Sequence, residues 1–270
     1  MNDTEYRQLP GVNWSLLKHM RTSPLAYQYH RDHPSSDTDA FRVGRAIHCL
    51  ILEPSQFSDR YVVFQGRRQG KAWDTFRDEH AEQCILTENQ MNDVSEMANA
   101  IYRNPVMMNY VHRVTEFECV YQWVDPVTEL PCKCRIDGLN APSRILIDLK
   151  SCQSIEEIKF GRDAAKFGYH GQMAHYGNGI QARHGWFPEQ LVLLAVENKP
   201  PYDSAVFVMG EDETYASRQL VGELLEQVKH CMDANQWPGR YISERSLCLP
   251  SYIFDAEDED ETFGLQMGNN

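Results

Sequence analysis

The chain has 270 residues, 42% of them hydrophobic and 11% aromatic, with a formal net charge of −13, and a chain of this length buries an ample core without disulfide or metal staples. Its 8 cysteines, at 49, 84, 119, 132, 134, 152, 231 and 248, form no Cys-x-x-Cys pair, which excludes a zinc module and a four-cysteine iron–sulfur site and points to a reducing, cytoplasmic setting. The start, Met-Asn-Asp-Thr-Glu-Tyr, has no basic region followed by an apolar one, and the longest apolar runs, Ile47 to Leu52 and Leu191 to Val196, are too short to span a bilayer, so no membrane role is expected.

In chain order, residues 13 to 32 read as a helix capped by Asn13 or Ser15, with Trp14, Leu17 and Met20 at helical spacing and a break near Ser23-Pro24. A polar loop, His33 to Asp39, leads to a second helix over 40 to 52 whose Phe41, Ile47, Leu50 and Ile51 are core-like and which stops before Pro54. Gly66 to Gly70 is an exposed loop, followed by helices over 71 to 82 and 87 to 103, the latter capped by Thr87 and closed before Pro105. Strands over 115 to 124, 129 to 139 and 144 to 150 form a meander, with turns at Asp125-Pro126 and Asn140-Ala-Pro-Ser143. A helix at 162 to 183, strands at 190 to 197 and 203 to 209, and a helix at 212 to 235 complete an α/β order. We therefore expect one domain over 1–252, with a helical N-terminal part (1–110) and a catalytic core (111–236), and an acidic, disordered tail over 253–270.

Chemistry concentrates in the hairpin. Asp148 and Lys150 are two apart on a strand and share a face, while Ile147 and Leu149 point the other way into a core. Asp137 on the partner strand lies beside Asp148 if the register sets it on that face. One Mg²⁺ could bridge the two carboxylates, with the Lys150 ammonium placed to orient or deprotonate a water for attack on phosphorus. About one acid-x-Lys match is expected by chance in a chain of this composition, and Glu157-Ile-Lys159 and Glu197-Asn-Lys199 are two more. Only Asp148-Leu-Lys150 has a second acid on a preceding strand, and its spacing alone also suits a surface hairpin with an ordinary ion pair. Gly44 and His48 share a helix face, as do Gln172 and Tyr176. His48 alone would be an ordinary packed histidine; Gln172 could order a water and Tyr176 touch a phosphate, or both could simply pack.

Gly44-Arg-Ala-Ile-His48, Arg135-Ile-Asp137-Gly138, Asp148-Leu-Lys150 and Gln172-Met-Ala-His-Tyr176, in that order, resemble the nuclease domain of RecE-type and RecB-type exonucleases of the PD-(D/E)XK superfamily. Val12-Asn-Trp-Ser15, Ser23-Pro24, Tyr27 and Gly70-Lys-Ala-Trp73 are similar to the RecE-type group, and the likeness runs from about residue 4 to about 230. Ile136 stands where the superfamily name has Pro, and Asp148 replaces the commoner Glu. The resemblance implies a central mixed β-sheet flanked by helices, with His48, Asp137, Asp148 and the Leu149 carbonyl as metal ligands, Lys150 as the catalytic lysine, and Gln172 and Tyr176 in support. It implies a Mg²⁺-dependent exonuclease that digests linear double-stranded DNA 5′ to 3′ and leaves 3′ strands for a RecT-type annealing partner. Mn²⁺ should substitute, and should bind more tightly because imidazole is an unusual Mg²⁺ ligand. Relatives assemble as rings, which makes a homo-oligomeric ring, a tetramer, the expected assembly.

An acidic protein needs a local basic channel to hold DNA, and Arg42, Arg45, Arg67, Arg68, Lys71 and Trp73 are its candidate nucleic-acid contacts. Asp255 and Glu257 to Glu261 account for nearly half of the −13 charge, so the body of the chain opposes DNA less than the total suggests. A phosphate loop at Gly66-Arg-Arg-Gln-Gly70 fails on spacing, and Ala72 lacks the hydroxyl such a loop needs. The alternatives that stay open are a non-catalytic or structure-specific DNA-binding member of the superfamily and a restriction-type endonuclease.

Overall fold

The computed structural model describes residues 3–34 and 38–250. The expected acidic tail, and the centre of the polar loop after His33, lie outside the described residues. The chain opens with α1 (Asp3–Gln8), α2 (Trp14–Leu17), a 3₁₀ turn (Lys18–Arg21), α3 (Pro24–Asp32), α4 (Asp39–Leu52) and α5 (Phe57–Arg60). A small lobe follows, made of β1 (Tyr61–Phe64), α6 (Lys71–Glu79) and β2 (Cys84–Thr87), and then come α7 (Glu88–Arg103) and α8 (Pro105–Val111). The core continues through β3 (Glu116–Val124), β4 (Pro131–Asn140), β5 (Ile145–Cys152), α9 (Glu157–Phe167), α10 (Tyr169–His184), β6 (Gln190–Glu197), β7 (Ser204–Val208) and α11 (Glu211–Ala234).

The sheet runs β3-β4-β5-β6-β7 and is mixed, because β5 pairs parallel with β6 while its other pairings are antiparallel. The parallel step needs a crossover, which α9 and α10 supply. Period-2 alternation then divides the core. Ile145, Ile147, Leu149, Val192, Leu194 and Val196 pack with residues of α4 and α7, whereas Leu146, Leu191, Leu193 and Ala195 pack with Phe160, Met173 and Ile180 of α9 and α10. Asp148 and Lys150 therefore look toward α10.

Two details depart from the expected elements and also position the site. The helix read over 162 to 183 is two helices, parted at Gly168, whose φ of +79° only glycine adopts readily. The helix read over 13 to 32 breaks at Ser23-Pro24 as expected, with Ser23 capping α3, but its first half is itself two pieces, α2 capped by Asn13 and the 3₁₀ turn. The parallel pair β1–β2 and helix α8 were not foreseen. The strand pair is only four residues long on each side and is closed across α6, and Pro105 begins a helix as well as ending one.

The N-terminal segment is tied along β4. Val12 exchanges backbone hydrogen bonds with Pro131 and Lys133 at 2.8 and 2.9 Å, and the Lys133 ammonium donates to the carbonyls of Tyr6, Arg7 and Leu9. These carbonyls lie at and just past the end of α1, where a helix leaves acceptors in need of donors. No helix among the described residues is long and apolar enough to cross a membrane, and none of the eight cysteines, all within the described residues, forms a disulfide.

Candidate active site

The site lies at a fork. β4 and β5 pair only over Gly138–Asn140 against Ile145–Ile147, and just beyond, where Asp137 and Asp148 stand, the strands part. Asp137 bridges the gap with its side chain, its Oδ2 accepting the Leu149 N–H at 3.0 Å. A backbone donor that the ladder has lost must be satisfied some other way, and here a carboxylate does it.

On one side of the fork, α4 crosses with Gly44 facing Ser151 and delivers His48, whose Nδ1 is 3.2 Å from Asp137 Oδ2. Burial works against a charged His48 ring, but the neighbouring Asp137 carboxylate more than offsets it and raises the imidazole's affinity for a proton. The same pairing acts on Asp137. Burial would raise its carboxyl, but His48, Lys150 and the Leu149 N–H together hold it below the usual carboxylate range.

On the other side α10 completes the arrangement. Asp148 is fully buried. Its Oδ1 accepts from Gln172 Nε2 at 2.9 Å, while its Oδ2 has the Lys150 ammonium 2.6 Å away but no donor aligned as a hydrogen bond. Lys150 donates in turn to Gln172 Oε1 at 3.0 Å, and Gln172 Nε2 also donates to the Tyr176 hydroxyl at 2.9 Å. Gln172 thus fixes acid and lysine as a unit. Burial first, and then the Asp137 charge, push Asp148 up to about 6, opposed by Lys150. Burial alone would lower Lys150, but the charges of Asp148 and Asp137 outweigh it and leave the amine above its usual range.

Glu118, which sequence reading passed over, joins the cluster. The β3–β4 register pairs Phe117 with Gly138 and Cys119 with Ile136, so Glu118 falls opposite Asp137. Its φ of +48° is a left-handed conformation unusual for a glutamate in a strand. Oxygen and nitrogen atoms of His48, Glu118 and Asp137 all lie within 4.8 Å of one another. Burial first, and Asp137 second, push Glu118 up to about 7, although Arg135 pairs with it at 3.1 Å.

Hard carboxylate oxygens with one imidazole suit Mg²⁺ or Mn²⁺, and the buried Asp148 Oδ2, without an aligned donor, is an acceptor such an ion would satisfy. The residues fit the group. The cluster that the structure brings together is His48, Glu118 and Asp137, with Asp148, expected beside His48 and Asp137, standing just outside it. Leu149 enters through its N–H, toward Asp137.

The proposed nucleic-acid contacts divide. Arg67 and Lys71 are exposed in the small lobe. Arg68 is turned inward. It donates to the Ile85 carbonyl at 2.6 Å and to Gln90 at 3.2 Å, with its guanidinium over the Trp73 ring, so Arg68 ties the lobe to α7 while Trp73 packs within the lobe against Arg68 and Phe64. Arg42 pairs with Asp39 at 2.8 Å, and Arg45 lies half-buried on the same helix.

A mixed five-stranded sheet with an acid at a strand fork, an acid-x-Lys strand and a crossover helix supplying Gln defines the PD-(D/E)XK class of folds. Residues 13–248 match the family described as a PDDEXK-like domain of unknown function (DUF3799), and the chain belongs to that family. No curated protein sequence matches it. Among solved structures, a candidate exonuclease from Eubacterium rectale superposes with a TM-score of 0.66 at 12% identity, covering 96% of this chain and 98% of that one. A phage-related exonuclease from Haemophilus somnus 129PT gives a TM-score of 0.37 at 12% identity, over 86% of this chain and 99% of its own.

Proposed function

We propose that the protein is a divalent-metal-dependent exonuclease that digests linear double-stranded DNA from its ends, 5′ to 3′, leaving 3′ single strands. The observation that carries the metal-dependent nuclease part of this reading is the junction of two clusters, His48–Glu118–Asp137 and Asp148–Lys150–Gln172, at one strand fork. His48, Glu118, Asp137 and Asp148, with the Leu149 carbonyl, would hold Mg²⁺ or Mn²⁺, which when bound supplies Lewis acidity toward a phosphoryl oxygen and a more acidic water. Lys150, kept charged by its buried acids, donates to the attacking water or to a phosphoryl oxygen on which negative charge develops. Gln172 holds Lys150 and Asp148 at fixed spacing, and Tyr176 buttresses Gln172.

A non-catalytic DNA-binding role is disfavoured by the intact Asp148–Lys150 pair, since a binding module has no use for a buried ammonium beside an acid that costs free energy to ionise. Action from ends, polarity, the ring-shaped tetramer and a RecT-type annealing partner rest on the resemblance to RecE-type enzymes. The test is hydrolysis of linear against covalently closed circular duplex, with either end phosphorylated, in Mg²⁺ and in EDTA. Loss of linear duplex alone, only with metal, is the expected result. Cutting of the circle would make the enzyme an endonuclease, and no cutting of either would end the nuclease reading.

A further inference from the structure

Lys18 is a cation that the site as described does not use. It opens the 3₁₀ turn after α2, and this N-terminal hook is pinned against the α9–α10 junction. The Trp14 indole occupies the space over Gly171 and Gly168, where an added Cβ would sit 2.1 and 2.9 Å from the ring. Arg21 donates to the Ala165 carbonyl at 2.7 Å near the end of α9. The same junction carries Tyr169, whose ring centroid is 5.0 Å from the Lys150 ammonium. The hook therefore lies against the helix junction beside Lys150, close enough for the Lys18 and Lys150 charges to act on each other.

The surroundings of Lys18 are unlike those of the other enclosed lysines. Lys133 gives its ammonium to three carbonyls, and Lys150 has Asp148 and Gln172. Lys18 is half-buried, and it pairs with no carboxylate among the described residues. Burial, and the like charges of Lys150 and Arg21, all disfavour its charged form. An ammonium in such a place is disfavoured until an anion arrives. A phosphodiester strand running across the proposed metal site would supply one.

We propose that Lys18 binds the phosphate next to the scissile one on the strand being cut, an inference that rests on the nuclease reading above. Its ammonium is a point charge without the planar fork that reads bases, so the contact grips backbone whatever the sequence. The hook's anchoring through Trp14 and Arg21 fixes the distance between this grip and Lys150, and so selects which phosphodiester reaches the metal.

Lys18→Met and Lys18→Arg should be compared with the wild type for hydrolysis of linear duplex in Mg²⁺, for duplex binding in EDTA between 50 and 200 mM salt, and for the thermal midpoint without DNA. Removing one phosphate contact should weaken binding of Lys18→Met about tenfold at low salt and shrink the log–log salt slope by about 0.9, at equal or higher thermal midpoint. Lys18→Arg should stay close to wild type in all three. Wild-type binding and cutting by Lys18→Met would overturn the Lys18 assignment and leave the nuclease reading standing. A lower midpoint in both variants with parallel loss of binding would make Lys18 a structural residue. A wild-type protein that neither binds nor cuts DNA would end both readings together.

Discussion

Metal binding at the fork should be steeply dependent on pH, and the structure sets the size of the effect. A ligand must shed its proton before it coordinates, and two of the proposed ligands hold protons near neutrality, Glu118 with its carboxyl pushed up to about 7 and Asp148 to about 6. Between pH 8 and pH 6 the first weakens the apparent affinity about tenfold and the second about twofold, together about twentyfold. His48, whose proton affinity is also raised, adds to this. At pH 7 the two carboxyls alone should release about 0.6 proton per ion bound. Calorimetric titration with Mn²⁺, at pH 6, 7 and 8 and in two buffers of different ionisation enthalpy, reads both numbers. Glu118→Gln should bind more weakly at pH 8 and lose most of the pH dependence. An affinity that stays within twofold from pH 6 to pH 8, or binding with no proton release, would refute the placing of Glu118 and Asp148 at the ion.

Asp148→Asn and Lys150→Ala should each lower hydrolysis at least ~10²-fold with duplex binding largely kept, while Glu157→Gln and Glu197→Gln stay near wild type; near-normal rates in the first two would remove the catalytic assignment. Glu118→Gln should stabilise the metal-free protein at pH 8 by up to about 3 kcal/mol. The folded carboxyl titrates above its ordinary 4.5, so the native state binds the extra proton and stability falls as pH rises between 4.5 and about 7. Denaturant unfolding at pH 4 and pH 8 checks this, with no difference expected at pH 4. Charge reversal at Arg67 should weaken binding to every DNA sequence alike and lower its salt slope. Reversal at Arg68, which is bonded to Ile85 and Gln90, should lower the melting temperature instead.

Asp148-Leu-Lys150 was legible in the sequence because side chains alternate across a strand with a period of 2, setting the two polar residues on one face, and Ile147 and Leu149 do fill the core on the other. Gln172 and Tyr176 were legible for the helical counterpart of that reason, four residues apart on one face. Glu118 was hidden by its company. In Glu116-Phe-Glu-Cys119 it looks like a routine strand residue, and only its position opposite Asp137 gives it a role. A signal did exist, because counting back evenly from the turn at Asp125 along both strands sets the two acids against each other. The inward turn of Arg68 had no such signal. It depends on β1 and β2 pairing in parallel across α6, a contact between segments about twenty residues apart that neither short run specifies alone.

Two of the hidden features share a physical origin. Local pattern reports what a segment does to bury its own apolar face, and it located the core with the two residues that interrupt the core's polarity rule. Two groups it missed, unlike Arg68, have placements that the metal-free fold does not favour. Glu118 is held in a left-handed strand conformation beside another acid, and Lys18 is half-buried with the like charges of Lys150 and Arg21 acting on it. Neither can be inferred from what stabilises the chain, because each is disfavoured where it stands. Their surroundings make sense together once the missing charges are supplied. A divalent cation at the fork would relieve the acids and a polyanion across it would relieve the lysine, so the two costs are opposite in sign and lie at the same edge of the sheet, where a metal ion and a phosphodiester would meet.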